Sequence, residues 1–201
     1  MDQQIASFNK KYLPYLLLTL LFFFLTFLLK NVQFKERKST FSQKMREIYK
    51  DTPTAEIAGF DEGEQWSGNM TLDSVRTFDG ETGMNIFSNT STATTVTLVK
   101  QINLTSFDII YTYIYAPDEA SAKNVNTLLL QFSSGLDKTT ASIAELHGGW
   151  NLISIPKTSF DMASFPWNKI TSTSLILSAG KGDTAQIAFD RLWAQQPIKN
   201  L

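Results

Sequence analysis

From residue 92 onward the chain reads as short runs in which apolar and polar positions alternate. "TATTVTLVKQI", "FDIIYTYIYA", "NTLLLQFSS", "WNLISIP", "STSLILSAG" and "AQIAFDRLWA" are rich in Val, Ile, Thr, Tyr and Leu, and Asn, Asp, Ser, Gly and Pro separate them. That texture predicts strands. No stretch after residue 57 keeps helical periodicity over three turns. Many short strands in about 140 residues predict an antiparallel sandwich or barrel.

The N-terminal pattern is different. "YLPYLLLTLLFFFLTFLL", residues 12 to 29, is 18 positions without a charge. At about 1.5 Å per helical residue it covers roughly 27 Å, close to the 30 Å of a bilayer core. A cleaved signal peptide would end its apolar run at small residues, but here "KNVQFKERK" follows. The reading is a tail over 1–11, a retained single transmembrane helix over 12–30, and a basic, partly helical arm over 31–56. In the arm, Phe34, Phe41, Met45, Ile48 and Tyr49 fall near helical spacing. Pro53 and Gly59 end any helix there, and the β domain is placed at 57–197.

Within the last run, simple alternation puts Ile187, Phe189, Arg191 and Trp193 on one side of a strand and Ala188, Asp190, Leu192 and Ala194 on the other. Asp is disfavoured in strands and rarely buried alone. Asp190 therefore points to a hydrogen bond, an ion pair, a metal or a wet position near the sheet edge. "IIYTYIY" places Ile109, Tyr111, Tyr113 and Tyr115 on one face and Ile110, Thr112 and Ile114 on the other. Either face is apolar enough for the core, and one could be a binding face.

Charge and composition narrow the partners. The formal net charge is −1, but it is unevenly spread. Lys30 to Lys50 holds seven basic and two acidic residues, whereas from Asp51 onward there are sixteen acidic against nine basic. An acidic domain is a poor partner for nucleic acid, and the basic arm beside the anchor suits lipid headgroups. There is no cysteine, and His147 is the only histidine. Disulfides, thiolate metal sites and multi-histidine zinc sites are thereby excluded.

"FDEGEQWSG", "GGWNLISIPKTSF", "FPWNKITSTSLIL" and "IAFDRLW", in that order across residues 58 to 196, resemble bacterial jelly-roll domains of the galactose-binding and carbohydrate-binding-module type. The resemblance implies an all-β antiparallel jelly-roll sandwich, here preceded by the single N-terminal transmembrane helix. It places Trp150, Trp66 and Trp193 in the core. It also implies a structural calcium between the opening segment and the last strand, with Asp61, Glu62 and Asp190 at the matching positions, since calcium takes six to eight oxygens. Asp190 accepting hydrogen bonds from backbone amides, or pairing with a lysine, is the alternative. Trp167, beside Pro166 and polar neighbours, is the candidate exposed aromatic. With Tyr113 it would stack on sugar, oriented by Asn168 and Asp161.

Catalysis has little support. Asp61, Glu62 and Glu64 cluster, as do Asp118 and Glu119, but both sets lie in turn-like segments with no histidine or cysteine nearby. "SAGKGD" lacks the first glycine and the Ser/Thr of a phosphate loop. Sequons occur at Asn69, Asn89 and Asn103. Flanking charge favours a cytoplasmic C-terminal side, whereas the resemblance favours an extracytoplasmic domain on a single-pass cell-membrane protein. The expected function is non-catalytic carbohydrate binding at the cell surface. The alternative is an accessory structural subunit of a membrane complex whose sandwich docks on a partner protein.

Overall fold

The computed structural model describes residues 53–60, 63–74, 77–78, 82–89, 92–143 and 145–196. The expected anchor and the arm up to residue 52 lie outside the described residues, and the last positions of the arm begin the first strand. Among the described residues no helix is long and apolar enough to cross a membrane.

Two antiparallel sheets face each other. One contains β1 (Thr54–Ala58), β3 (Met70–Asp73), β4 (Gly83–Asn89), β6 (Ile109–Ala116), β9 (Gly149–Pro156) and β11 (Thr184–Gln195). Its order is β3-β4-β11-β6-β9, with β1 also paired to β11. The other contains β2 (Trp66–Gly68), β5 (Thr94–Ile102), β7 (Val125–Ser134), β8 (Asp137–Ser142) and β10 (Ile170–Ala179), in the order β2-β5-β10-β7-β8. One short helix, α1 (Glu119–Lys123), links β6 to β7. The expected β-sandwich is thus what the chain forms, and its first strand starts at Thr54, three residues before the expected boundary.

The core between the sheets is built by alternation. Val96 and Leu98, Ile110 and Ile114, Leu128, Leu130 and Phe132, and Leu175 and Leu177 all point inward and are buried. Burying such side chains contributes about 1.5–3 kcal/mol each. The turn after β1 is closed by Glu64. Its carboxylate accepts the Gly59 and Phe60 N–H groups, each at 3.0 Å, and the Trp66 indole N–H at 3.0 Å. Phe60 takes a φ of 61° there and stacks on Trp66, with ring centres 5.2 Å apart.

β11 breaks the simple alternation. Arg191 has a φ of 51° and interrupts the register with β6 between Asp190 and Leu192. This bulge inserts one residue and swaps the faces beyond it. Ile187, Phe189, Leu192 and Ala194 all join the core, while Asp190 and Trp193 share the outer face. The bulge also falls between two partners, since β4 pairs with residues 184–189 and β1 with residues 192–195 of the same strand.

Candidate functional site: an aromatic outer face

The swap at Arg191 gathers rings on the outer face of the six-stranded sheet. Phe78, Tyr113 and Trp193 form a buried cluster separate from the core, with Tyr111 and Trp150 packed against it. Register explains the gathering, because Trp193 pairs with Tyr111, Asp190 with Tyr113, and Tyr115 with Trp150 across neighbouring strands. Odd-numbered tyrosines of β6 thus face outward and even-numbered isoleucines inward. Ring centres lie 5.4 Å apart for Tyr111 and Trp193, 5.3 Å for Tyr113 and Trp193, and 5.2 Å for Tyr115 and Trp150. Aromatic pairs at such separations contribute about 0.5–1.5 kcal/mol beyond area burial.

Asp190 supports this face. Its carboxylate is fully buried, and Oδ2 accepts the backbone N–H of Phe78 from the β3–β4 connection. That bond brings the Phe78 ring onto Tyr113, at 3.9 Å between centres, and against the edge of Trp150 at 5.4 Å. A hydrogen bond to a charged acceptor is worth about 1.5–3 kcal/mol, enough to hold a loop onto a sheet. The backbone-amide alternative for Asp190 is therefore the arrangement observed. Asp61 and Glu62, the other expected calcium ligands, lie outside the described residues. Among the described residues no group of three His, Cys, Asp or Glu side chains is placed to hold a metal ion.

Polar groups border the rings. The Arg191 guanidinium carbon lies 5.2 Å from the Trp193 ring centre, a cation–π contact. Asn85, outward-facing on β4, donates from Nδ2 to Asp73 Oδ2 at 3.0 Å. Leu152 stands opposite Tyr113, and Tyr111, Tyr115 and Trp150 are half-buried, so each keeps part of its surface in solvent. A planar apolar ring flanked by fixed amide, carboxylate and guanidinium groups suits a ligand with apolar C–H faces and an equatorial rim of hydroxyls.

The sequence-expected site divides in two. Tyr113 belongs to the aromatic face but lies largely beneath Phe78. Trp167, Asn168 and Asp161 instead lie on the connection between β9 and β10. Trp167 is half-buried and edge-to-face with Phe132, Phe160 and Phe165, at 5.7, 5.2 and 5.1 Å. Lys157 Nζ sits 4.8 Å from its ring centre and donates to the Leu104 carbonyl. Burial pushes the Lys157 pKa down, against an opposing pull from Asp108. Asp161 is exposed, and its Oδ1 accepts the Thr140 N–H at 2.8 Å and the Thr139 hydroxyl at 3.1 Å, fastening this connection to β8. Asn168 is exposed beside them. Trp167 and Asp161 thus work in packing, away from Tyr113. Trp193 is buried as expected, but in the second cluster rather than between the sheets, and Trp150 is half-buried against that cluster. The signal that could have found this face is the tyrosine alternation in "IIYTYIY".

No protein-family model and no curated protein sequence matches the chain. Solved structures do. A family 11 carbohydrate-binding module of the cellulosomal cellulase Lic26A-Cel5E of Clostridium thermocellum is 12% identical with a TM-score of 0.55, over 74% of this chain and 97% of the module. A family 30 carbohydrate-binding module is 12% identical with a TM-score of 0.57, over 76% and 93%. A family 11 module from Clostridium thermocellum, in complex with a β-1,3-1,4-mixed-linked tetrasaccharide, is 14% identical with a TM-score of 0.50, over 75% and 91%. At such identities the likeness shows a shared sandwich fold.

Proposed function

We propose that the sandwich is a non-catalytic carbohydrate-binding domain, held at the cell surface by an anchor over residues 12–30, and that glycan lies on the aromatic outer face of the six-stranded sheet. The observation that carries this reading is the second aromatic cluster, built outside the core by Tyr111, Tyr113, Trp150, Trp193 and Phe78. Rings placed there contribute little to closing the sandwich. Tyr111 and Trp150, with Tyr115 beside them, keep part of their rings in solvent and give apolar surface against which a sugar ring can bury its C–H face, with Arg191 and Asp73 nearby for hydroxyls, while Phe78, Tyr113 and Trp193 form the buried bed beneath. A sandwich of like fold that carries a bound tetrasaccharide supports the same assignment.

A glycan screen with the full-length chain tests this. Binding is expected to weaken about tenfold or more, roughly 1.4 kcal/mol, in Trp150→Ala and in Tyr115→Ala. Both residues are only half-buried, so these variants keep the fold. A folded chain that binds no glycan sinks the proposal. If that chain left mild detergent with stoichiometric partner proteins, the docking-subunit reading would take its place.

A further inference from the structure

One end of the sandwich carries a cleft of about 570 Å³ between α1, the start of β7 and the segment after β8. Its lining shares no residue with the aromatic face. The floor is aliphatic, made by Ala122, Val125, Leu128, Ile143 and Leu146, and no Phe, Tyr or Trp lines the cleft. The rim carries charge of both signs, Glu119 and Glu145 against Lys123.

The walls are fixed in place. Glu119 Oε1 accepts the Gly148 N–H at 2.9 Å, and a Cβ on Gly148 would meet the Glu119 nitrogen at 2.7 Å, so the loop closes on α1 only with glycine there. Asn151 clasps the same loop. Its Oδ1 accepts the His147 N–H at 2.9 Å, and its Nδ2 donates to the carbonyls of His147 and Gly149 at 2.8 and 3.1 Å. On the far side, the Asn124 carbonyl accepts the Gly180 N–H at 3.0 Å and its side-chain amide reaches the Thr184 carbonyl at 3.3 Å. A cleft with such walls loses little entropy when it is filled.

We propose that this cleft binds a short aliphatic peptide segment, with a branched side chain on the floor and the peptide's own charges paired at the rim. The volume falls within the 300–1,000 Å³ of ordinary ligand sites. A sugar finds no Phe, Tyr or Trp to stack on here. A ligand of one charge, such as a fatty acid or a polyamine, would meet a like charge on the rim, whereas an ammonium and a carboxylate flanking an aliphatic body each find an opposite charge there. This site stands independently of the glycan proposal.

Calorimetric titration of the full-length chain with the dipeptide Leu-Leu is the test. Leu-Leu is expected to bind at sub-millimolar concentration, and the same dipeptide capped as an N-acetyl amide about fivefold or more weakly. Ser142→Trp, at an exposed position on the wall, should abolish binding while leaving the melting curve in place. Lys123→Ala and Glu145→Ala, both exposed, should each weaken it severalfold, and they carry the test if the tryptophan variant does not fold. No binding at about 10 mM Leu-Leu, or binding that these substitutions leave unchanged, overturns the proposal.

Discussion

The two outer faces of the sandwich use the same strand geometry for opposite surfaces. Across the five-stranded sheet one row runs Ser67, Thr97, Ser174, Gln131, Thr140, a residue from every strand and no ring among them. These side chains largely satisfy one another. The Thr97 and Ser174 hydroxyls are 2.9 Å apart, Gln131 Nε2 donates to the Thr140 hydroxyl at 3.2 Å, and Ser67 donates to the Thr97 carbonyl at 3.2 Å. Across the six-stranded sheet the corresponding rows are Trp193–Tyr111–Ser154 and Ala188–Tyr115–Trp150. A hydroxyl lattice that meets its own needs is content against water. The half-buried rings of Tyr111, Tyr115 and Trp150 still have apolar area to lose. The difference is what favours the six-stranded face as the proposed glycan surface.

The comparison can be broken most severely at Asp190. Asp190→Ala removes the acceptor that holds Phe78, and it should cost about 2–3 kcal/mol of stability by chemical denaturation and remove most glycan affinity, because the Phe78 ring leaves Tyr113. Asp190→Asn keeps an oxygen for the same N–H and should lose less of both. Calcium added to the parent chain sharpens the point. The three-carboxylate calcium expectation for Asp61, Glu62 and Asp190 needs a rise in melting temperature that Asp190→Asn abolishes, whereas an Asp190 serving Phe78 alone leaves the melt unmoved.

A much smaller effect is expected on the other face. Replacing Thr97 by Val and Ser174 by Ala together removes both partners of one hydrogen bond, so stability should stay within about 0.5 kcal/mol of the parent and glycan affinity should not move. A loss of glycan binding in that double variant would reverse the assignment of faces.

The smallest expected effect is in pH. Burial holds the folded pKa of Lys157 below its ordinary 10.5, so the unfolded chain binds the proton more tightly. The penalty for keeping this lysine charged in the fold is complete at neutral pH and fades as pH climbs through the folded pKa toward 10.5. Its share of stability therefore rises with alkaline pH, and urea melts of Lys157→Gln should show that rise flattened.

Strands β5, β6, β7, β9, β10 and β11 were legible because each is a run of β-branched, aromatic or leucine residues long enough to show alternation. "WSG", "MTLD", "GMNIFSN" and "DKTTAS" were not, since β2, β3, β4 and β8 are short or built from glycine, serine, asparagine and charged residues. Their strand character comes from neighbours that supply hydrogen-bonding edges. The site was half legible. Tyr113 stands out in the alternation and the burial of Trp193 is expected, but its place in the second cluster is not, because nothing in "FDRLW" announces that Arg191 will take a left-handed backbone and turn the next residues over. The half-burial of Trp167 is hard to read for a related reason. Its polar neighbours in sequence say little about Phe132, which reaches it from another strand.

The pairing of β1 with β11 bears on how the domain carries load. Thr54, where the first strand begins, is the partner of Gln195, where the last strand ends. A force pulling the two ends of the domain apart therefore opens this pair at its outermost rung, and each rung carries the whole tension in turn. That is peeling rather than shear, so β1 should come away at low force. β11, still flanked by β4 and β6, would keep the sandwich and its aromatic face intact.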